Sequence, residues 1–175
     1  FGWSGTIEEV TLGATKAEGG TRRVSYRIGG GTNLPFLEQN PAFPSPLIAF
    51  EVCDHPPFWS PIVRNYCGDL VSNLAEWTKN ADTAYKADLI RLHLNSTRQR
   101  DFSDIAAVGK TVETVLSATS LPLIIEGSNE PKIDSEVFQR CGESGQGERL
   151  LLGTAEASHY RSIAAAALAY NHSLI

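Results

Sequence analysis

The chain has 175 residues, 42% of them hydrophobic and 20% charged, an ordinary globular composition that excludes a disordered tail or a low-complexity scaffold. Its length suits one domain that buries about 70% of the surface exposed by the unfolded chain, so neither disulfides nor a metal is needed to hold a core. The 15 basic residues are scattered among 20 acidic ones, for a net charge of −5, which excludes the clustered basic surface that nucleic-acid binding requires.

Residues 1–45 read as one unit. Thr6 to Leu12 and Arg23 to Ile28 are strand-like runs joined by the Gly-rich connector GATKAEGGT, and GGGTN and a proline-rich stretch follow; this describes a hairpin and then a loop. Residues 46–175 change pattern to short apolar runs alternating with amphipathic segments, the signature of parallel strands linked by crossover helices. The expected strands are LIAFEV (47–52), DLIRLHL (88–94), LPLIIEG (121–127), LLLGTA (150–155) and HSLI (172–175). Between them Asn73 with Glu76 makes a capping-box start, after which Leu74, Trp77, Ala81 and Ala84 recur at helical spacing. Ile105, Val108, Val112, Val115 and Leu116 repeat the pattern after Ser103, and Val137, Phe138 and Cys141 do so more briefly. Ser158 is expected to cap an Ala-rich helix holding Ile163, Ala167 and Leu168.

Strand composition separates an open doubly wound sheet from a closed barrel. In DLIRLHLN, Ile90, Leu92 and Leu94 share one face, and Arg91, His93 and Asn95 share the other. LIAFEVCD likewise sets Ile48, Phe50 and Val52 against Ala49, Glu51 and Cys53. A parallel sheet covered on both faces is apolar on both, whereas a barrel carries polar side chains inward near its mouth. An inward Glu51 beside an inward Arg91 compensates the charge of each. The expected fold is therefore α/β, a (β/α)8 barrel cut to about its first four βα units, ending in the fifth strand and preceded by the hairpin. Because the chain begins at Phe1 and stops inside an apolar run at Ile175, it reads as a piece of something longer, with parallel edges free to pair.

In a barrel, chemistry gathers on the loops after the strands' carboxyl ends. These loops lack a Gly-rich phosphate cradle and a lysine at a strand end, which argues against nucleotide binding and Schiff-base chemistry. A metal site from His55, His159 and Asp54 or Glu156 can be drawn, but the expectation is no metal. His93 reads as an inward histidine satisfied by Glu51 or Asn95, and His172 has no identifiable partner. Asn95, Ser96, Ser128, Asn129 and Thr154 form a ring of neutral hydrogen-bonding groups, suited to an amide-rich or heterocyclic ligand, although Asn and Ser also favour ordinary loops and caps. Cys53, Cys67 and Cys141 are odd in number, far apart and without a C-x-x-C pair, so they read as reduced thiols holding no zinc, redox couple or iron–sulfur cluster. Apolar runs fall short of the roughly 18 residues that cross a bilayer, and the amino end carries no basic-then-apolar leader. The expectation is a cytoplasmic protein with no membrane and no nucleic-acid partner.

The stretches LPFLEQNPAFPSPLIAFEVCD, AEWTKNADTAYKADLIRLHLNST and PLIIEGSNEPKIDSEVFQRCGESGQGERLLLGTAEASHYRSIAAAALAYNHSLI closely resemble the small subunit of the corrinoid/iron–sulfur protein of the acetyl-CoA decarbonylase/synthase system. EEVTLGATKAEGGTRRVSYRIGG looks like that family's opening hairpin. The resemblance implies a barrel about twice this length and a role in one-carbon metabolism. In that role a cobalt corrinoid takes a methyl group from a methylated reduced pterin and passes it to acetyl-CoA synthase. It implies a corrinoid shared with a large subunit that carries the iron–sulfur cluster, while this chain, without a cluster, covers the reactive face. It also implies transient partners in a pterin methyltransferase and acetyl-CoA synthase. The contact positions expected on this reading are Asn95, Ser96, Ser128, Asn129, Thr154 and Glu156, because they occupy strand ends at the mouth, with no catalytic residue assigned. The second reading is a stand-alone pterin-dependent methyltransferase. Lys86 stands where the family tends to have glycine, and NEPKIDSEV is shifted by a residue against the family pattern.

Overall fold

The computed structural model describes residues 5, 7–31, 46–55, 57–99 and 102–175. Glu9–Leu12 (β1) pairs antiparallel with Tyr26–Gly29 (β2), Leu12 opposite Tyr26. Both strands are shorter than their apolar patterns suggested. A 3-10 turn at Lys16–Glu18 lies between them, where the Glu18 carboxylate accepts from the Thr15 backbone N–H (2.9 Å) and hydroxyl (2.7 Å). The proline-rich part of the 1–45 unit lies outside the described residues.

Five parallel strands follow: Ala49–Cys53 (β3), Leu89–His93 (β4), Leu123–Glu126 (β5), Leu151–Gly153 (β6) and Ser173–Leu174 (β7). Their order in the sheet is their order in the chain. Every crossover thus steps one strand in the same direction, as in a barrel, and never reverses as in a doubly wound sheet. The helices lie between them: Pro61–Cys67 (α1) and Leu74–Thr83 (α2) before β4, then Ile105–Ala118 (α3), Pro131–Ser144 (α4) and Tyr160–Ala169 (α5). Helices α2, α3, α4 and α5 pack each on the next.

Register partners in a parallel sheet share a face. Val52, Leu92, Ile125 and Leu152 are such partners, and all four are fully buried beneath Trp77, Val112, Phe138, Ile163 and their neighbours. The opposite face carries Glu51, Arg91, His93 and Glu126, each only partly buried. One apolar and one charged face is the pattern of half a barrel, and it bears out the reading of DLIRLHLN and LIAFEVCD.

Most helix starts follow the sequence with small shifts. Asn73 Oδ1 accepts from Glu76 N–H at 3.2 Å, as expected. Asp104, not Ser103, caps α3 through Ala107 N–H at 3.0 Å. His159, not Ser158, stands at the start of α5 without a side-chain cap, and Leu168 faces solvent. The short helix α1 was not foreseen; Pro61 at its first turn and the Ser60 hydroxyl start it. Lys86, at the family's glycine position, has φ +51°, a conformation glycine adopts without steric penalty.

The hairpin closes the barrel's amino end. Arg22 is 4% exposed, and its Nε donates to Glu148 at 2.8 Å. Its Nη1 donates to the Thr119 and Leu121 carbonyls (2.7 and 3.2 Å) and Nη2 to the Leu116 carbonyl (2.9 Å). Backbone bonds from Gly13 to Arg149 and from Arg23 to Ser120 fix the same segment. Gly13 (φ +80°) has no room for a side chain, since a Cβ would lie 2.7 Å from Pro122 and from the Val24 carbonyl.

His172 does have partners. Its Nδ1 accepts from Leu150 N–H (3.1 Å), which leaves Nε2–H to donate to the Gly142 carbonyl (2.9 Å). Burial pushes its pKa below the ordinary histidine value, so the folded state holds the neutral ring and the unfolded chain takes up the proton first. The stabilisation is complete above about pH 6.5 and is lost as pH falls below it. The urea midpoint is therefore expected to drop between pH 7.5 and 5.5, and to drop less in His172→Gln; equal drops in both proteins would remove His172 as the cause.

Candidate functional site at the carboxyl end of the sheet

Because β3 to β6 are parallel, the segments after Cys53, His93, Glu126 and Gly153 emerge at one end. The first two are tied together. Asp54 accepts from the Ser96 backbone N–H (3.1 Å) and from its hydroxyl, and Asn95 Nδ2 donates to the His55 carbonyl (3.1 Å). A groove of about 480 Å³ lies there between His55, Pro57, Phe58, Asn95, Arg98 and Gln99.

The third segment is held by a buried carboxylate. Asp134 Oδ1 accepts from Ser128 N–H and hydroxyl, and Oδ2 from Asn129 N–H, all at 2.8 Å. Ser128 Oγ in turn accepts from Glu130 N–H at 2.9 Å, and Ser128 is 7% exposed. Its hydroxyl is thus committed within the loop. Asn129, at φ +66°, is exposed, as are Thr154 and Glu156. Of the six expected positions, Asn129, Thr154 and Glu156 offer free side-chain surface, while Asn95, Ser96 and Ser128 hold the loops.

Beneath this rim the inner face is charged. Arg91 pairs with Glu51, as expected, and also with Glu126, which the sequence reading left unused; Arg98 reaches Glu126 at 3.5 Å. His93 is satisfied by neither Glu51 nor Asn95. Its nearest carboxylate oxygen is Glu126 Oε1, 3.8 Å from Nε2, too far for a hydrogen bond. Burial first, then the Arg98 and Arg91 charges, holds its pKa below the ordinary value, so the ring is neutral. Burial and Asp54 push the Cys53 thiol up to about 11. Cys53, Cys67 and Cys141 are all free thiols.

The metal set drawn from His55 and His159 does not assemble among the described residues: Asp54 is engaged by Ser96, and His159 Nδ1 lies 2.8 Å from Ser158 Oγ. The side chains of metal-ligating type that do converge there are Glu51, Cys53 and His93. The face alternation signalled their common side; their convergence depends on the Cys53–His93 register, which only pairing reveals. No helix among the described residues is long and apolar enough to cross a membrane.

Residues 9–175 match the family described as the CO dehydrogenase/acetyl-CoA synthase delta subunit. The acetyl-CoA decarbonylase/synthase complex subunit delta of Archaeoglobus fulgidus is 38% identical over 173 residues, covering 97% of this chain and 38% of the relative. The subunit of the same name from Methanosarcina mazei is 35% identical over 176 residues, covering 99% and 40%. That from Methanocaldococcus jannaschii is 33% identical over 177 residues, covering 99% and 43%. The chain thus spans about two fifths of the length of the curated relatives it matches. With the single-direction parallel sheet and its amino-terminal hairpin, the match establishes that this chain belongs to the CO dehydrogenase/acetyl-CoA synthase delta-subunit family.

Proposed function

We propose that this chain forms the first half of a barrel whose mouth covers a cobalt corrinoid shared with a large corrinoid/iron–sulfur subunit. The setting is methyl transfer from a methylated reduced pterin to acetyl-CoA synthase in the cytoplasm. The observation that carries the reading is the family match over residues 9–175. The donor set fits the group: a corrin is fringed with amides, and the rim offers Asn129, Thr154 and Glu156 as exposed hydrogen-bonding side chains, Asn129 on a loop pinned by Asp134.

When bound, the corrinoid supplies the cobalt that carries the methyl group. The residues of this chain bind and shield. Asn129 and Thr154 would donate to and accept from corrin amides, Glu156 would accept from amide N–H groups, and the loops would exclude water from the cobalt's upper face. The inner Glu51–Arg91–Glu126 network favours the second reading, a pterin site, since guanidinium and carboxylates together match the donor and acceptor edge of a pterin ring.

The test is co-expression of the full delta subunit with its large subunit, wild type against Asn129→Ala/Thr154→Ala/Glu156→Ala. The expected result is an intact heterodimer whose bound corrinoid, read from its visible spectrum, falls at least fivefold. Undiminished corrinoid and an unchanged methyl-transfer rate would overturn the covering role. Calorimetric heat from a reduced pterin added to the isolated full subunit would favour the second reading.

A further inference from the structure

The inner face of the sheet holds a group of side chains that the covering role does not use. Glu51, Cys53 and His93 each turn one ligand-type atom into a common space, and these atoms lie within 4.8 Å of one another. We propose that they form a binding site for a divalent transition metal of the zinc class, with a fourth position open toward the barrel mouth.

Three observations carry this. First, the register pairs Cys53 with His93 and Glu51 with Arg91 across β3 and β4, so the three ligands come from two hydrogen-bonded strands and not from loops. Second, His93 Nε2 is buried and has no hydrogen-bond partner. A native protein rarely leaves such an atom unsatisfied, and a metal ion would occupy it. Third, the surrounding groups already orient the ligands. Arg91 holds Glu51 through Oε2, which leaves Oε1 on the Cys53 side, 3.9 Å from Sγ; ligating carboxylates are commonly held by such an outer partner.

The ligand chemistry selects the metal. One sulfur, one imidazole nitrogen and one carboxylate oxygen suit zinc and its neighbours, whereas magnesium and calcium take oxygen shells. Tetrahedral zinc sets its ligand atoms roughly 3.3–3.8 Å apart, so Cys53 Sγ and Glu51 Oε1, at 3.9 Å, already stand near that spacing. His93 is neutral, so its lone pair is available. Cys53 is protonated, so binding exchanges the Sγ proton for the metal and releases it to solvent. Three protein ligands with one open position are the pattern of zinc sites that bind a further ligand, not of closed structural sites.

The inference does not rest on the corrinoid reading, and its test uses the full-length protein carrying this chain, purified without a corrinoid-bearing partner. The protein is stripped with chelator, incubated with Zn²⁺, gel-filtered and assayed for zinc, and its affinity is read by competition with a chromophoric chelator. The expected result is one zinc per chain, retained by Cys67→Ser and weakened at least 100-fold by Cys53→Ser and by His93→Gln. Zinc-edge X-ray absorption of the Cys67→Ser protein guards against misfolding of those variants, and a shell with one sulfur is expected there. Less than a tenth of a zinc per chain, equal affinity in Cys53→Ser, or a shell of nitrogen and oxygen alone would each overturn the site.

Discussion

Replacing Glu148 by alanine is expected to destabilise the protein by about 3–5 kcal/mol, the cost of leaving a buried charge without its partner. Glu148 is 8% exposed. Its carboxylate accepts from Arg22 Nε and from the Thr21 backbone and hydroxyl. In its absence the guanidinium stays buried against neutral carbonyls and the Thr21 hydroxyl alone. Denaturant unfolding measures the loss, and a change below about 1 kcal/mol would show that Arg22 reaches water once freed. The pairs Arg149–Glu18 and Arg27–Glu9 are more exposed, and truncating either is expected to change stability far less, because solvent screens exposed pairs.

Asp134→Asn is expected to cost about 2–4 kcal/mol, because charged hydrogen bonds are lost and a buried donor is left facing another. The carboxylate accepts three bonds through both oxygens. An amide keeps one oxygen, so in either orientation its NH₂ points at the Ser128 or the Asn129 N–H. The Gly127 position explains why the geometry is unforgiving: a Cβ there would lie 2.4 Å from Asp134 Oδ1. Thermal unfolding measures the loss, and Gly127→Ala is expected to behave similarly. Both changes should also reduce corrinoid retention in the assembled heterodimer, although neither residue reaches the rim. Full stability in Asp134→Asn would mean that the loop holds itself.

The sheet and its polarity were legible because strand alternation is local. Ile90, Leu92 and Leu94 against Arg91 and His93 decided for a barrel face before any pairing was known. The Glu51–Arg91 pair followed from the same alternation on two strands. What escaped the sequence depends on distant partners. Arg22 drew no reading from the sequence, since nothing near it in the chain announces Glu148. Ser128 looked like a ligand group because its engagement with Asp134 depends on how α4 starts. His93 was assigned to Glu51 or Asn95, whereas its nearest carboxylate, Glu126, lies on the strand beyond and still out of hydrogen-bond reach. Helix α1 escaped because its exposed apolar residues, Ile62 and Tyr66, show no buried stripe.

The arginine that plugs the barrel's amino end also sets an order of events in synthesis. Arg22 leaves the ribosome 94 to 126 residues ahead of its acceptors at Leu116, Thr119, Leu121 and Glu148. At about 5–20 residues per second, the hairpin waits several seconds or more with an uncommitted cation and the apolar Leu12 side chain. Strands β3 to β6 can pair in chain order as they appear, each with its predecessor already present. The plug therefore closes only after β3, β4 and β5 have been made, and it reports that synthesis has reached the start of β6.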